Sequence, residues 1–193
     1  MRKTPRSNHQ AWIVASLLLL AFALRVHGLD HHNIWGDEAA SIELSKQSLA
    51  QVLVPEMETH PPLYHILLHF WMTIAGDSVF AVRYFSVIPG ILLISLVHVV
   101  GQRLFGRPGA TLAAGMTAFS SFAIYYSQET RMYAWVTAFG TLSAYSMLRL
   151  QHRSSWKSKW TAAYLVSTLA AIFTHYYALL VVLAQNLFMI TSN

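Results

Sequence analysis

Residues 80–104, FAVRYFSVIPGILLISLVHVVGQRL, decide the fold. Between Arg83 and Arg103 this stretch carries no Asp, Glu, Lys or Arg. As a helix it reaches about 37 Å, enough to cross the ~30 Å hydrocarbon core of a bilayer. Its charges sit at the two ends. Other apolar segments flank it. Residues 11–24 are apolar apart from Ser16, and 11–29 can span if Arg25 snorkels to the interface. A cleaved signal peptide is the other reading of this start, with its basic residues, short apolar core and Ala21-Phe22-Ala23. Residues 110–126 and 132–148 read as further spans. Residues 161–190 carry no charge and form either one long helix or two that part near His175-Tyr176-Tyr177. The expected fold class is all-α, a polytopic transmembrane helix bundle.

Composition agrees. The chain is 55% hydrophobic and 11% charged, against about 25% charged in soluble domains. It has no cysteine, which excludes disulfides, thiolate chemistry and Cys-based metal sites. A pI near 9.6 would suit a nucleic-acid partner, but the basic residues are divided among short segments between apolar runs. Arg2, Lys3 and Arg6 form one cluster, Arg103 and Arg107 a second, and Arg149, Arg153, Lys157 and Lys159 a third. All eight acids lie elsewhere. Basic loops stay cytoplasmic, so the N-terminus is expected inside and the acids outside a cell (plasma or inner) membrane.

That sidedness decides residues 61–76, which are apolar but reach only about 24 Å as helix. If they crossed, the second and third basic clusters would face outside. They are therefore expected in the interface, within an external loop over 37–76 that carries juxtamembrane helices. Residues 37–53 read as one short interfacial helix, with Ala39, Ile42, Leu49 and Leu53 on its apolar face.

Four polar groups then gather outside: Asp37-Glu38; His60 with Glu56 and Glu58; Arg83; and Gln128-Glu129-Thr130-Arg131. A carboxylate can take a hydroxyl proton, and an Arg fork can hold a phosphate. Each has a plainer reading. Asp37 could cap a helix, Pro61-Pro62 could start one, Arg83 could snorkel, and Glu129 and Arg131 could pair with each other. His65 and His69, at i and i+4, could bind metal or sit at the interface. A transporter or flippase for lipid-linked or small solutes is the competing function. It predicts ionisable groups near the midplane, whereas these charges sit at helix ends. An inactive fragment is a third reading, because the chain stops at Asn193 straight after apolar sequence.

Taken in order, LDHHNIWGDEAASIELSKQSL (29–49), HPPLYHILLHFWMTIAG (60–76), AVRYFSVIPG (81–90), GQRLFG (101–106) and YYSQETRMYA (125–134) resemble the N-terminal half of a bacterial membrane glycosyltransferase. The group is the GT-C superfamily that uses polyprenyl-phosphate sugars. It includes protein O-mannosyltransferase-like enzymes and the lipid A aminoarabinose transferase. The resemblance covers nearly the whole chain. It implies inverting transfer from a polyprenyl-phosphate-sugar donor to an acceptor lipid, glycan or protein on the outer face. Asp37 is implied as the base with Glu38 beside it. Among the outer polar groups, His60, Arg83, Glu129 and Arg131 are the candidates for binding substrate or phosphate. In the aminoarabinose transferase a Glu-Lys pair precedes the Pro, with metal and phosphate roles. Here Thr59 and His60 stand at those positions, and Glu58 comes one residue earlier. A divalent metal is thus an open requirement, with Glu58 and His60 as the candidates and no cofactor certain. Family members are usually more than twice this length, which implies that the chain is the N-terminal part of one.

Overall fold

The structure, a computed structural model, describes residues 6–53, 60–151 and 158–191. Among these residues every regular element is a helix: α1 (Arg6–Val26), α2 (Gly36–Lys46), α3 (Leu49–Leu53), α4 (Leu63–Ala75), α5 (Val79–Leu104), α6 (Gly106–Phe119), α7 (Ser121–Ser127), α8 (Tyr133–Leu150), α9 (Lys159–Thr174) and α10 (Ala178–Thr191). Two stretches, His9–Val26 and Val79–Leu104, are long and apolar enough to cross a membrane, and α4 and α10 are shorter apolar helices. The fold is an all-α membrane helix bundle.

The centre of the bundle is α5, which packs against α1, α4, α6, α7 and α8. Small residues let it come close to α6. A Cβ on Gly101 would lie 2.9 Å from the Cα of Ala110, and Ala110, Ala114 and Ala118 form the buried stripe of α6. In lipid there is little hydrophobic drive between helices, so close backbone approach through small residues supplies the packing. Buried polar groups join α8, α9 and α10. The Ser143 hydroxyl pairs with Thr168 at 2.7 Å and accepts from the Gln185 amide at 3.0 Å.

Three expectations need correcting. Residues 37–53 are two helices. At Gln47 ψ is 171°, which ends α2. Ser48 then starts α3 with half of a capping box: the Gln51 side-chain oxygen accepts from its backbone N–H at 3.2 Å and its hydroxyl at 2.6 Å. The buried face also differs. Helix α2 buries Glu38, Ser41, Ile42 and Ser45, Val52 is the buried residue of α3, and Leu49 and Leu53 are exposed. A polar face is buried because charged partners wait beneath it.

Residues 110–126 are likewise broken, at Ser120, whose hydroxyl caps α7 by accepting from Ala123 N–H at 3.3 Å. The break frees carbonyls at the end of α6, and this accounts for the third correction. Arg25 does not snorkel; it is fully buried. Its guanidinium donates to the carbonyls of Ala118 (3.0 Å), Thr117 (3.3 Å) and Ala21 (3.2 Å), and to Ser127 Oγ (3.2 Å). A cation at a helix C-terminus also suits the helix dipole.

Gly90 leaves room for this latch. A Cβ there would run into Ser127 Oγ, come within 2.8 Å of Ser127 Cβ, and approach Arg25 Nε at 3.4 Å. Gly90→Ala is therefore expected to destabilise by about 1–3 kcal/mol, the usual range for overpacking. Thermal melting in detergent would read it, and an unchanged melting temperature would mean the latch relaxes freely.

Helix α4 spans 13 residues, about 20 Å, and packs against α2, α3, α5 and α9. Its i, i+4 histidines are used separately. His69 donates from Nδ1 to the Ser45 carbonyl at 2.8 Å, tying α4 to α2. His65 is fully buried against the Tyr64 ring.

Candidate active site

Asp37 and Glu38 sit in the first turn of α2, where the free N–H groups and the helix dipole favour carboxylates. Trp35 is the N-cap and has no side-chain cap bond, so Asp37 is not the cap. One residue of helix turns a side chain by about 100°, and the two acids face opposite ways. Glu38 is fully buried, whereas the Asp37 side chain is 55% exposed.

Glu38 forms a two-pronged pair with Arg83 of α5: Nε donates to Oε1 at 3.0 Å and Nη2 to Oε2 at 2.7 Å. The Thr130 N–H donates to Oε1 at 2.8 Å. Burial pushes the Glu38 carboxyl up. The Arg83 hydrogen bonds and charge, with the Thr130 and Trp35 N–H groups, outweigh that and hold it below its ordinary value. The rest of Arg83 is also committed. Its Nη1 donates to the carbonyls of Leu29 and His32, both at 2.9 Å, and Nη2 to Asn33 at 3.1 Å. All five donors of the guanidinium are thus used. Arg83 neither snorkels nor has a donor left for a phosphate. It binds residues 29–33 and α2 to the bundle.

Arg131 is held differently. It lies between α7 and α8 and is 7% exposed. Nη1 donates to the Asp37 carbonyl and to Ser41 Oγ, each at 3.0 Å. Nη2 lies 3.7 Å from the Asp37 carboxylate, and Nε has no hydrogen-bond partner among the described residues. The Nε–Nη2 edge, the one that matches an oxyanion, is therefore incompletely used. Arg131 and Glu129 are bonded through the backbone, Arg131 N–H to the Glu129 carbonyl at 2.8 Å. The Glu129 side chain is 7% exposed, and burial raises its carboxyl above the ordinary value against the opposing Tyr125 hydroxyl.

Aromatic rings extend the site. Tyr133 lies beneath Arg131, 5.9 Å from guanidinium to ring centre, and packs edge-on against Tyr126 at 4.7 Å. His175, between α9 and α10, lies 6.1 Å from the Tyr133 ring and 5.0 Å from the His60 ring. The Tyr177 N–H donates to His175 Nδ1 at 3.1 Å, so a neutral ring carries its proton on Nε2. Burial, then nearby His60 and Arg131, lower its basicity.

The structure thus brings Asp37, Arg131 and Tyr133 together with His60 and His175, and sets Glu38 and Arg83 beneath as support. Reading the sequence missed His175, Tyr133 and Ser41. The signal for His175 was a titratable residue interrupting an uncharged apolar stretch. Glu56 and Glu58 lie outside the described residues. Among the described residues no three His, Cys, Asp or Glu side chains converge as metal ligands. Glu58, the other candidate ligand beside His60, is among those undescribed residues, and no step is routed through a metal.

A groove of about 450 Å³ opens from Tyr133 and His175 and runs between α8 and α10 along Val136, Gly140 and Val181. It is apolar and leads from the polar site into the depth of the bundle. No curated protein and no solved structure matches the chain. A family model described as dolichyl-phosphate-mannose-protein mannosyltransferase matches residues 59–193, well over half of it. The matched part holds His60, Arg83, Glu129, Arg131 and His175, and the acid-bearing α2 is fastened to it through Glu38. By that match the chain belongs to the dolichyl-phosphate-mannose-protein mannosyltransferase family, membrane glycosyltransferases of the GT-C type.

Proposed function

We propose that the site transfers a sugar, with mannose as the first donor to try, from a polyprenyl phosphate to an acceptor hydroxyl, with inversion at the anomeric carbon. One observation carries the reading: an exposed carboxylate, Asp37, stands against a buried guanidinium, Arg131, whose Nε has no partner among the described residues. Asp37 takes the proton of the acceptor hydroxyl. The acceptor oxygen bonds to the anomeric carbon as the bond from that carbon to the phosphate oxygen breaks. The electron pair leaves on the phosphate, where charge develops. Arg131 supplies positive charge there, and the rings of His60 and His175 supply N–H donors. Glu38 is a positioning residue, and Glu129 lines the floor beside Arg131. The groove between α8 and α10 suits an apolar lipid tail. The test is transfer of labelled mannose from polyprenyl phosphate by the full-length protein in membranes, and its loss in Asp37→Asn. Transfer retained by that variant would remove Asp37 from the mechanism.

The same reading sets the site on the outer face of the cell membrane with the N-terminus in the cytoplasm. Ser41 is buried and cannot report this. Gln47 and Ala75 are exposed near the site, and Phe105 is exposed at the opposite end of α5. Cysteines at Gln47 and Ala75 are expected to react with an impermeant maleimide from outside intact cells. A cysteine at Phe105 is expected to react only after the membrane is opened. The reverse pattern would overturn the orientation.

A further inference from the structure

The end of the bundle opposite the candidate site is built from the start of α1, the end of α5 and the start of α6. No acidic residue occurs in residues 1–29, 78–128 or 130–193, so the basic residues of this end have no anionic partner within these helices. Arg103 lies over the Tyr145 ring at 5.8 Å. The Arg107 side chain is exposed and has no hydrogen bond or ion pair to any described residue.

Two cavities meet at Arg107. One, about 660 Å³, runs between α1 and α6 along Ile13, Leu112, Met116 and Phe119. From Arg107 to Phe119 the helix rises about 18 Å, close to the depth of one leaflet's hydrocarbon, half of about 30 Å. The other, about 440 Å³, lies between α1 and α5, with Gln10, His98 and Gln102 among its lining. Gln10 and Arg107 line both. The start of α6 adds to the polar end. Phe105, its N-cap, makes no side-chain cap bond, so the first N–H groups of the helix are left for an acceptor. Pro108 in the first turn needs no N–H partner.

A cation, two amide side chains and a helix N-terminus thus stand at the mouth of an apolar groove as deep as one leaflet. We propose that this end of the bundle is a binding site for an anionic phospholipid. The headgroup phosphate would be held by Arg107 and the α6 N-terminus, with Gln10 and Gln102 as donors. One acyl chain would lie along Ile13, Leu112, Met116 and Phe119. The charge complementarity selects an anionic headgroup over a zwitterionic one.

Native mass spectrometry of the detergent-solubilised full-length protein, titrated with phosphatidylglycerol or phosphatidylcholine, tests this. Wild type is expected to retain phosphatidylglycerol preferentially. Arg107→Ala is expected to weaken that retention roughly fivefold, the worth of one basic residue near an anionic surface. Leu112→Trp, which fills the groove and leaves Arg107 in place, is expected to weaken it as well. Lys159→Ala, at a basic residue outside both cavities, is expected to leave it unchanged. Arg107 and Leu112 are both exposed, and an unchanged melting temperature for each variant shows that the fold is kept. Equal retention of the two lipids by wild type would overturn the proposal. So would full preference in Arg107→Ala, or displacement of the lipid by millimolar inorganic phosphate with no effect of Leu112→Trp.

Discussion

Asp37→Asn is expected to lower sugar transfer by about 10²–10⁴-fold, the usual contribution of a general base. The substitution keeps the shape of the side chain and removes its ability to accept a proton. The cost to the fold is small. The Asp37 side chain is largely exposed, and its charged partner among the described residues, Arg131 Nη2, stands 3.7 Å away. Its backbone carbonyl, which accepts from Arg131 Nη1 and Ser41, is unchanged by the substitution. The loss of a charge in the first turn of α2 costs about 0.3–1 kcal/mol. Membranes carrying Asp37→Asn should therefore hold folded protein that binds donor and does not turn it over. A parallel loss of melting temperature and of transfer would show that Asp37 acts on the fold. Undiminished transfer would assign the base to another group.

Arg83→Met is expected to have the opposite signature, a loss of stability of about 3–5 kcal/mol, the usual cost of leaving one partner of a buried ion pair alone. Glu38 would remain fully buried, accepting only from the backbone N–H groups of Thr130 and Trp35. The carbonyls of Leu29, His32 and Asn33 would lose their donor as well. The double variant Glu38→Met/Arg83→Met removes both charges, and is expected to be less damaging than the single change. If Arg83 held donor phosphate, Arg83→Met would keep its melting temperature and raise the KM for donor. That result would overturn its role as a latch.

The same pair sets an acid limit. The folded Glu38 carboxyl is held below its ordinary value of 4.5. Its contribution to stability is therefore present above pH 4.5 and is lost as pH falls through the lower folded value. Melting temperature should drop on the acid side of pH 4.5, and the double methionine variant should lose that part of the drop.

The separate parts of the fold differ in how far they could be read from the chain. Apolar length identified α5, and the uncharged run over 161–190 covers most of α9 and α10, which part at 175–177. The break between α6 and α7 falls at Ser120-Ser121, two small polar residues that a span can carry, and the carbonyls it frees are taken by Arg25, from another helix. The polar face of α2 was hidden. Glu38, Ser41 and Ser45 carry no apolar signal, and they are buried where Arg83 meets the Glu38 carboxylate, Arg131 the Ser41 hydroxyl and His69 the Ser45 carbonyl.

By itself, the sequence determined the class of the protein. Its composition and the length of its apolar runs require a helical membrane bundle, since helices satisfy their own backbone bonds in lipid. The ordered motifs point to glycosyl transfer, with Asp37 and Glu38 in one loop. Only the tertiary structure decided which acid is buried and which is exposed, which arginine is spent and which has a donor left among the described residues, and that His175 comes to lie beside His60. The physical reason is that hydrophobic patterning reports apolar burial along one helix. Whether a charge is buried and paired depends on donors brought in from helices far away in the chain.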